Sequence, residues 1–252
     1  MRVISMVPSW TETLIEAGVE VCGRTRFCIY PKDKIAPVPI VGGTKDINWK
    51  KIESLKPDLI IFDQEENPKS MADECPYPWL ATHVTGLTRA RDEMQRIGET
   101  LKNQKILEWS QKWDQLLTKP CGPWSLAKIP GEIQPLPERE VDFSRQILYV
   151  IWKKPWMVVS PNTYIGSVLK FLGAPIADLG TDQKYPEISE EDLKKYYLLF
   201  SSEPFPFEKI KDDLAASGFH GSLVDGESYS WFGIRSLNFL MQAQYKSLET
   251  RV

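Results

Sequence analysis

The sequence predicts an α/β protein of two halves, each alternating short strands with amphipathic helices, on either side of one long helical segment. Three observations predict it. Short apolar runs stop at Pro, Gly or Asp and give way at once to helical patterns. Helix-to-strand links are short enough to imply parallel pairing. Between them, residues 88–118 lack proline and carry apolar residues at helical spacing.

In chain order, Arg2 to Val7 is an apolar run stopped by Pro8-Ser9, after which Thr11, Leu14, Ile15 and Ala17 share a helical face. Ser9 or Thr11 is expected to cap this helix, with Glu12 or Glu16 complementing its dipole. Val38 to Val41 reads as a strand ending in Gly42-Gly43-Thr44; Asp46 or Asn48 then starts the helix NWKKIESLK, and Pro57 precedes the strand DLIIF. Met94, Ile97 and Leu101, then Ile106, Trp109, Trp113 and Leu116, follow helical spacing in two phases. The slip at Lys102 to Lys105 leaves two readings, one helix with a stutter, spanning roughly 45 Å, or two abutting helices. Residues 119–145, including CGPWSLAKIPGEIQPLPERE, are Pro-rich and expected to be irregular and superficial. Strand-like runs return at 146–152, 197–201 and 222–224, separated by helical patterns at 163–172, 190–195 and 207–217, and a last helix covers 234–248. The predicted organisation is an amino-terminal lobe over 1–86, a connecting helix over 87–118 and a carboxy-terminal lobe over 119–252.

Composition narrows the function classes. The 252 residues are 42% hydrophobic and 26% charged with a net charge of -3, which offers no basic surplus for nucleic acid. No run approaches the roughly 18 apolar residues of a membrane span, so no membrane insertion is expected. The start MRVISMVPSW lacks the layout of a secretory signal, and a cytoplasmic location is expected for the sequence as written; a removed leader would make it periplasmic or surface-anchored. Cys22, Cys28, Cys75 and Cys121 have no paired metal-ligand spacing, and a Cys75 to Cys121 bridge stays open.

The ordered segments RVISMVPSWTE, CIYP and VGGTKDINWKKIESLKPDLIIF resemble the amino-terminal lobe of the helical-backbone substrate-binding proteins, the group of cobalamin and iron-siderophore receptors. YPEISEEDLKK, LLFSSEPFPF and VDGESYSWFG resemble its second lobe. The resemblance implies two lobes joined by a long backbone helix, a ligand cleft between them, a monomer, and a metal chelate such as a corrinoid, haem or iron-siderophore as ligand, with no covalent cofactor. It further implies an ABC permease as partner if the protein is exported, docked through an acidic residue on each lobe. Glu191 in SEEDLKK fits the second. For the first, Lys69 stands where the cobalamin-receptor pattern has glutamate, so that Glu66 is assigned, with Glu65 and Glu74 as substitutes.

Ligands of open α/β sheets sit beyond the carboxyl ends of the strands. The loops there carry Trp10, Tyr30, Trp152, Tyr229, Trp231 and Phe232 as flat apolar faces, and Ser9, Thr44, Gln64 and Ser202 as directional hydrogen-bonding groups. Half of these aromatics are expected to line the pocket and the rest to fill core. Gly43 could bring an amide to an anion, although a plain turn is the favoured reading of Gly42-Gly43. Glu203, with Asp225 and Glu227, forms a carboxylate group expected to pair with Arg235 and nearby lysines. His83 and His220 lack partners at ligand spacing, so no metal site built on them is expected, and no G-x-G-x-x-G or G-K-[ST] pattern supports a nucleotide. No catalytic residue is assigned. The alternative reading is a small hydrolase using Ser9, Ser201, Ser202 or the carboxylates, which lacks a G-x-S-x-G elbow and a triad histidine.

Overall fold

In the computed structural model, residues 1–122, 129–136 and 145–249 are described. The first sheet grows outward from β1 (Arg2–Ser5), whose Val3, Ile4 and Ser5 are fully buried. It is flanked by β2 (Glu20–Thr25) and β3 (Ile40–Gly42) on one side and by β4 (Leu59–Asp63) and β5 (Trp79–Thr82) on the other, in the order β3-β2-β1-β4-β5 with every pair parallel. β4 is buried along its whole length, as expected of a continuous apolar run inside a parallel sheet. Helices α1 (Pro8–Glu16), α2 (Trp49–Leu55) and α3 (Lys69–Asp73) connect these strands. Ile4, Met6, Val41, Ile52, Ile60, Phe62 and Met71 form one core cluster.

Asn48 caps α2 as predicted, accepting from the Lys51 amide at 3.1 Å. Neither Ser9 nor Thr11 caps α1. Helical geometry begins at Pro8, whose fixed φ suits the first turn, so both residues lie inside the helix, and no acid occupies its first turn. The segment expected to connect the lobes is two helices, α4 (Leu87–Leu101) and α5 (Gln104–Leu117). Lys102 adopts a left-handed conformation that ends α4, and the Asn103 side chain caps α5 by accepting from the Ile106 amide at 3.1 Å. Gly98 permits the turn, because a Cβ there would stand 2.9 Å from Leu107.

The second sheet has the order β6-β10-β9-β7-β8. Its centre is the parallel trio β7 (Ile147–Trp152), β9 (Tyr197–Ser201) and β10 (Gly221–Val224); β6 (Glu132–Pro135) and β8 (Met157–Val158) are antiparallel edges. β6 corrects the expectation of irregular chain throughout 119–145. Gly131, at φ +70°, turns the backbone so that residues 132–135 pair with β10, and the proline sits at the strand end, on an edge. Within that stretch, residues 123–128 and 137–144 lie outside the described residues. Helices α6 (Tyr164–Phe171), α7 (Glu190–Leu193), α8 (Lys211–Ala216), α9 (Gly226–Ser230) and α10 (Ile234–Glu249) complete the chain. Leu148, Val150, Trp156, Leu198, Phe200, Phe207, Phe219 and Leu223 lie in its core cluster.

By packing, the chain forms two compact units, one of residues 1–115 with 231–237 and one of residues 116–230 with 238–252. Residues 87–115 thus pack with the first unit. Cys75 is a free thiol that donates to the Tyr77 carbonyl, so the Cys75 to Cys121 bridge is not formed. No helix among the described residues is long and apolar enough to cross a membrane.

Candidate functional site

In the first unit, five strands deliver five loops to one edge of the sheet. Asn67 ties three of them together. Buried beyond β4, its side-chain oxygen accepts from the Asp63 amide at 2.9 Å, while its amide donates to the carbonyls of Met6 (3.2 Å) and Thr44 (2.8 Å). Lys45 adds bonds to the carbonyls of Glu65 and Glu66. The Asp63 carboxylate accepts from the Thr82 hydroxyl at 2.6 Å and from the Glu65 amide at 2.9 Å, and Thr82 in turn accepts from the Trp10 indole at 2.9 Å. Burial nevertheless holds the Asp63 pKa above the usual carboxylate range. Burial, then the Asp63 charge, also pushes up Glu66. Held in this way, the loops are preorganised by backbone bonds as well as by packing.

Several predicted ligand residues are core. Trp10 has no exposed surface, packs on Phe232 with centroids 5.0 Å apart, and spends its indole on Thr82. Phe232 and Ser9 are likewise buried, and the Ser9 carbonyl accepts the Thr13 hydroxyl. The reason is position: Trp10 and Ser9 sit within α1, which lies on the sheet. Gly43 also belongs to a turn. Its amide is spent on Asp46, and a Cβ would stand 2.5 Å from the Arg26 guanidinium that pairs with Asp46. That pair holds the Asp46 carboxyl below its ordinary range. Thr44 is half-buried with its carbonyl on Asn67, and Gln64 is exposed.

What this edge offers to a ligand is the segment after β2, together with residues 231–235. Cys28 points inward to the hydroxyls of Thr11 and Thr25, so its neighbours Phe27 and Ile29 point outward, 50% and 46% exposed. Tyr30 meets Trp231 edge to face, with centroids 5.6 Å apart at 81°. The Arg235 guanidinium lies 4.1 Å from the Tyr30 ring centroid and 5.2 Å from that of Trp231. Glu12 grips it with two hydrogen bonds of 2.8 Å. Arg235 was expected to pair with Glu203, Asp225 or Glu227; its bidentate partner is Glu12, which a helical pitch brings to the same end of α1. The bonds from Arg235 and the stacking on it fix both rings in place.

In the second unit, Trp152 ends β7 with 39% of its surface exposed and meets Phe205 edge to face at 5.5 Å. Ser202 accepts from the Gly226 amide at 2.9 Å, Glu203 accepts the Ser230 hydroxyl at 2.9 Å, and Asp225 accepts that of Ser228. Tyr229 is buried against Tyr149, with its hydroxyl on the Pro130 carbonyl. Ser201 accepts from the Tyr149 hydroxyl at 3.1 Å and donates to the Glu203 carbonyl. Neither Ser201 nor Ser202 is bonded to a histidine or carboxylate side chain among the described residues. Glu191 is exposed on α7, whereas Glu66 is half-buried and Glu65 is paired with His83 at 3.0 Å. Among the described residues no group of three His, Cys, Asp or Glu side chains could hold a metal ion.

Sequence reasoning placed Asp63 and Asn67 only as members of the strand-end loop that carries Gln64, and Glu12 only as an acid in the first turns of α1; Thr82, on a strand of four residues, gave no signal.

Neither a protein-family model nor a curated protein sequence matches the chain. Solved structures do. The periplasmic vitamin B12 binding protein BtuF of Vibrio cholerae matches with a TM-score of 0.68 and 16% identity, covering 99% of this chain and 97% of that one. The periplasmic haem-binding protein RhuT from Roseiflexus sp. RS-1, in apo form, matches with 0.72 and 17%, covering 98% of each. Staphylococcus aureus IsdE complexed with haem matches with 0.71 and 13%, again over 98% of each. Over its whole length the chain therefore has the α/β fold of these binding proteins.

Proposed function

We propose that this chain is a receptor rather than a catalyst: a substrate-binding protein of the ABC-transporter type whose ligand is a large metal chelate of the corrinoid, haem or iron-siderophore kind. The observation that carries this reading is the Tyr30–Arg235–Trp231 cluster with exposed Phe27 and Ile29 beside it, apolar and aromatic surface held rigid at the strand ends. A surface of that composition suits a broad organic ligand better than a bare ion, which needs a fixed shell of imidazole, thiolate or carboxylate. On the second unit, Trp152 exposes an aromatic ring of its own. The fold supports the reading, because proteins that share it are described as binding vitamin B12 and haem. Their description as periplasmic favours the exported over the cytoplasmic of the two locations, and with it a permease partner. Glu191 is the acidic residue best placed for docking; on the first unit exposed Glu74 suits that role better than half-buried Glu66.

The test is titration calorimetry, with absorption spectra, of the apo protein against cyanocobalamin, hemin, a ferric siderophore, and zinc and manganese salts. One chelate is expected to bind, and Tyr30→Ala and Trp231→Ala are each expected to weaken it roughly 10- to 100-fold, the loss of about 1.5–3 kcal/mol of aromatic burial. Tight binding of free zinc that survives both substitutions, with no affinity for any chelate, overturns the proposal.

A further inference from the structure

β5 is the terminal strand of its sheet, and such an edge exposes backbone groups to any passing strand. On its inner side the carbonyls of Pro78 and Thr82 accept from the Ile60 and Gln64 amides of the β4 side, each at 2.9 Å. The alternate groups face away from β4, and two of them are met by side chains of α4. Arg96 donates to the Ala81 carbonyl at 2.6 Å, and Glu93 accepts from the His83 amide at 3.1 Å. Glu93 and Arg96 are bonded to each other at 2.7 Å. Together they present one donor and one acceptor to a carbonyl and an amide two residues apart, the arrangement in which one residue of a parallel neighbouring strand engages its partner.

Glu93 is buried, an expensive place for a carboxylate unless it is paired and hydrogen-bonded. The opposite edge, β3, is closed differently, by backbone: the Asn48 amide donates to the Val41 carbonyl. Beside β5 lies a groove of about 620 Å³ lined by Trp79, Leu80, Ala81, Pro68, Ala72 and Arg96, and Trp79 is 47% exposed. The edge thus has both the backbone groups and the apolar surface that strand addition needs.

We propose that the Glu93–Arg96 pair is a plug that keeps the β5 edge from pairing with β5 of a second copy of this chain. The pair occupies the hydrogen-bonding positions that a partner strand would take, and Arg96 lines the groove that would receive its side chains. This role is independent of what the strand-end loops bind.

Sedimentation velocity over a wide concentration range tests it. The unaltered chain is expected to sediment at a constant rate, and Arg96→Met, which keeps the stem and removes the donor, to approach twice the mass as concentration rises. Adding Ala81→Pro to that variant should restore the monomer, because proline removes an outward amide of an edge strand without touching the bonds to β4. Should circular dichroism show Arg96→Met unfolded, Glu93→Met takes its place with the same expectation, since it removes the acceptor held over the His83 amide. A folded variant that remains monomeric, self-association that Ala81→Pro leaves intact, or an unaltered chain that already pairs through β5 overturns the proposal.

Discussion

Replacing Asn67 should unfasten the strand-end loops of the first unit. Its side chain makes three hydrogen bonds, to the Asp63 amide and to the Met6 and Thr44 carbonyls, and is buried where water cannot substitute freely. At roughly 0.5–1.5 kcal/mol net for each bond, Asn67→Ala should cost about 3 kcal/mol, most of it from leaving those three backbone groups unsatisfied. Asn67→Asp is the sharper variant. It keeps the acceptor for the Asp63 amide but turns a carboxylate oxygen toward two carbonyls, beside the acidic side chains of Asp63 and Glu66. Repulsion there would raise the folded-state pKa of the new carboxyl. The variant should therefore be least stable at neutral pH and recover as pH falls through that raised value toward the ordinary ~3.9, because the protonated acid can again donate. Urea unfolding at pH 7 and pH 5, followed by circular dichroism and by hydrogen exchange in β1 and β4, reads both effects. An Asn67→Asp protein as stable as the parent at pH 7 would refute the reasoning.

Two further outcomes follow from the same unit. Gly233 has φ +91°, and a Cβ there would stand 2.3 Å from the Thr13 hydroxyl and 3.3 Å from the Trp10 ring, so Gly233→Ala should lower the melting temperature, with a cost of at least about 1–2 kcal/mol; an unchanged melting curve would contradict the packing described. Asp63 is held above its ordinary pKa by burial, so its folded form binds the proton more tightly and its contribution to stability is greatest in acid, fading as pH rises through the folded value. Asp63→Asn also relieves Glu66, which Asp63 helps to push up. Relative to the parent, the variant should fare better at pH 7 than at pH 5, and a stability difference that is flat or reversed between those pH values would count against the assignment.

The α/β class and the likeness to helical-backbone receptors were readable because β1, β4, β7 and β9 are apolar runs with sharp stops at Pro, Asp, Lys or Ser. β2 was not read as a strand, since EVCGRT mixes charge and glycine into a strand buried only in part, and β5 has only four residues behind Pro76 and Pro78. The break at Lys102 was visible as a phase slip; that it ends one helix and starts another depended on Asn103, whose cap is a local geometry. At the site, residue type pointed to aromatics but could not sort them. Trp10 and Trp231 look alike in sequence, and what separates them is the indole of Trp10 bonded to Thr82, 72 residues away. Glu12 and Arg235 are 223 residues apart, beyond any local pattern.

That last separation bears on how the protein is made. Residues 231–237 belong to the first unit although residues 116–230 of the second unit precede them in the chain. During synthesis residues 1–115 emerge with Trp10 uncovered by Phe232, Glu12 without Arg235, and the Thr13 hydroxyl without the Ile234 amide it later accepts from at 3.1 Å. Until translation has passed Arg235, the amino-terminal sheet therefore lacks these contacts from residues 231–237. The segment that steadies Tyr30 is among the last to arrive, so a chain cut short before it would lose its aromatic cluster while keeping every strand.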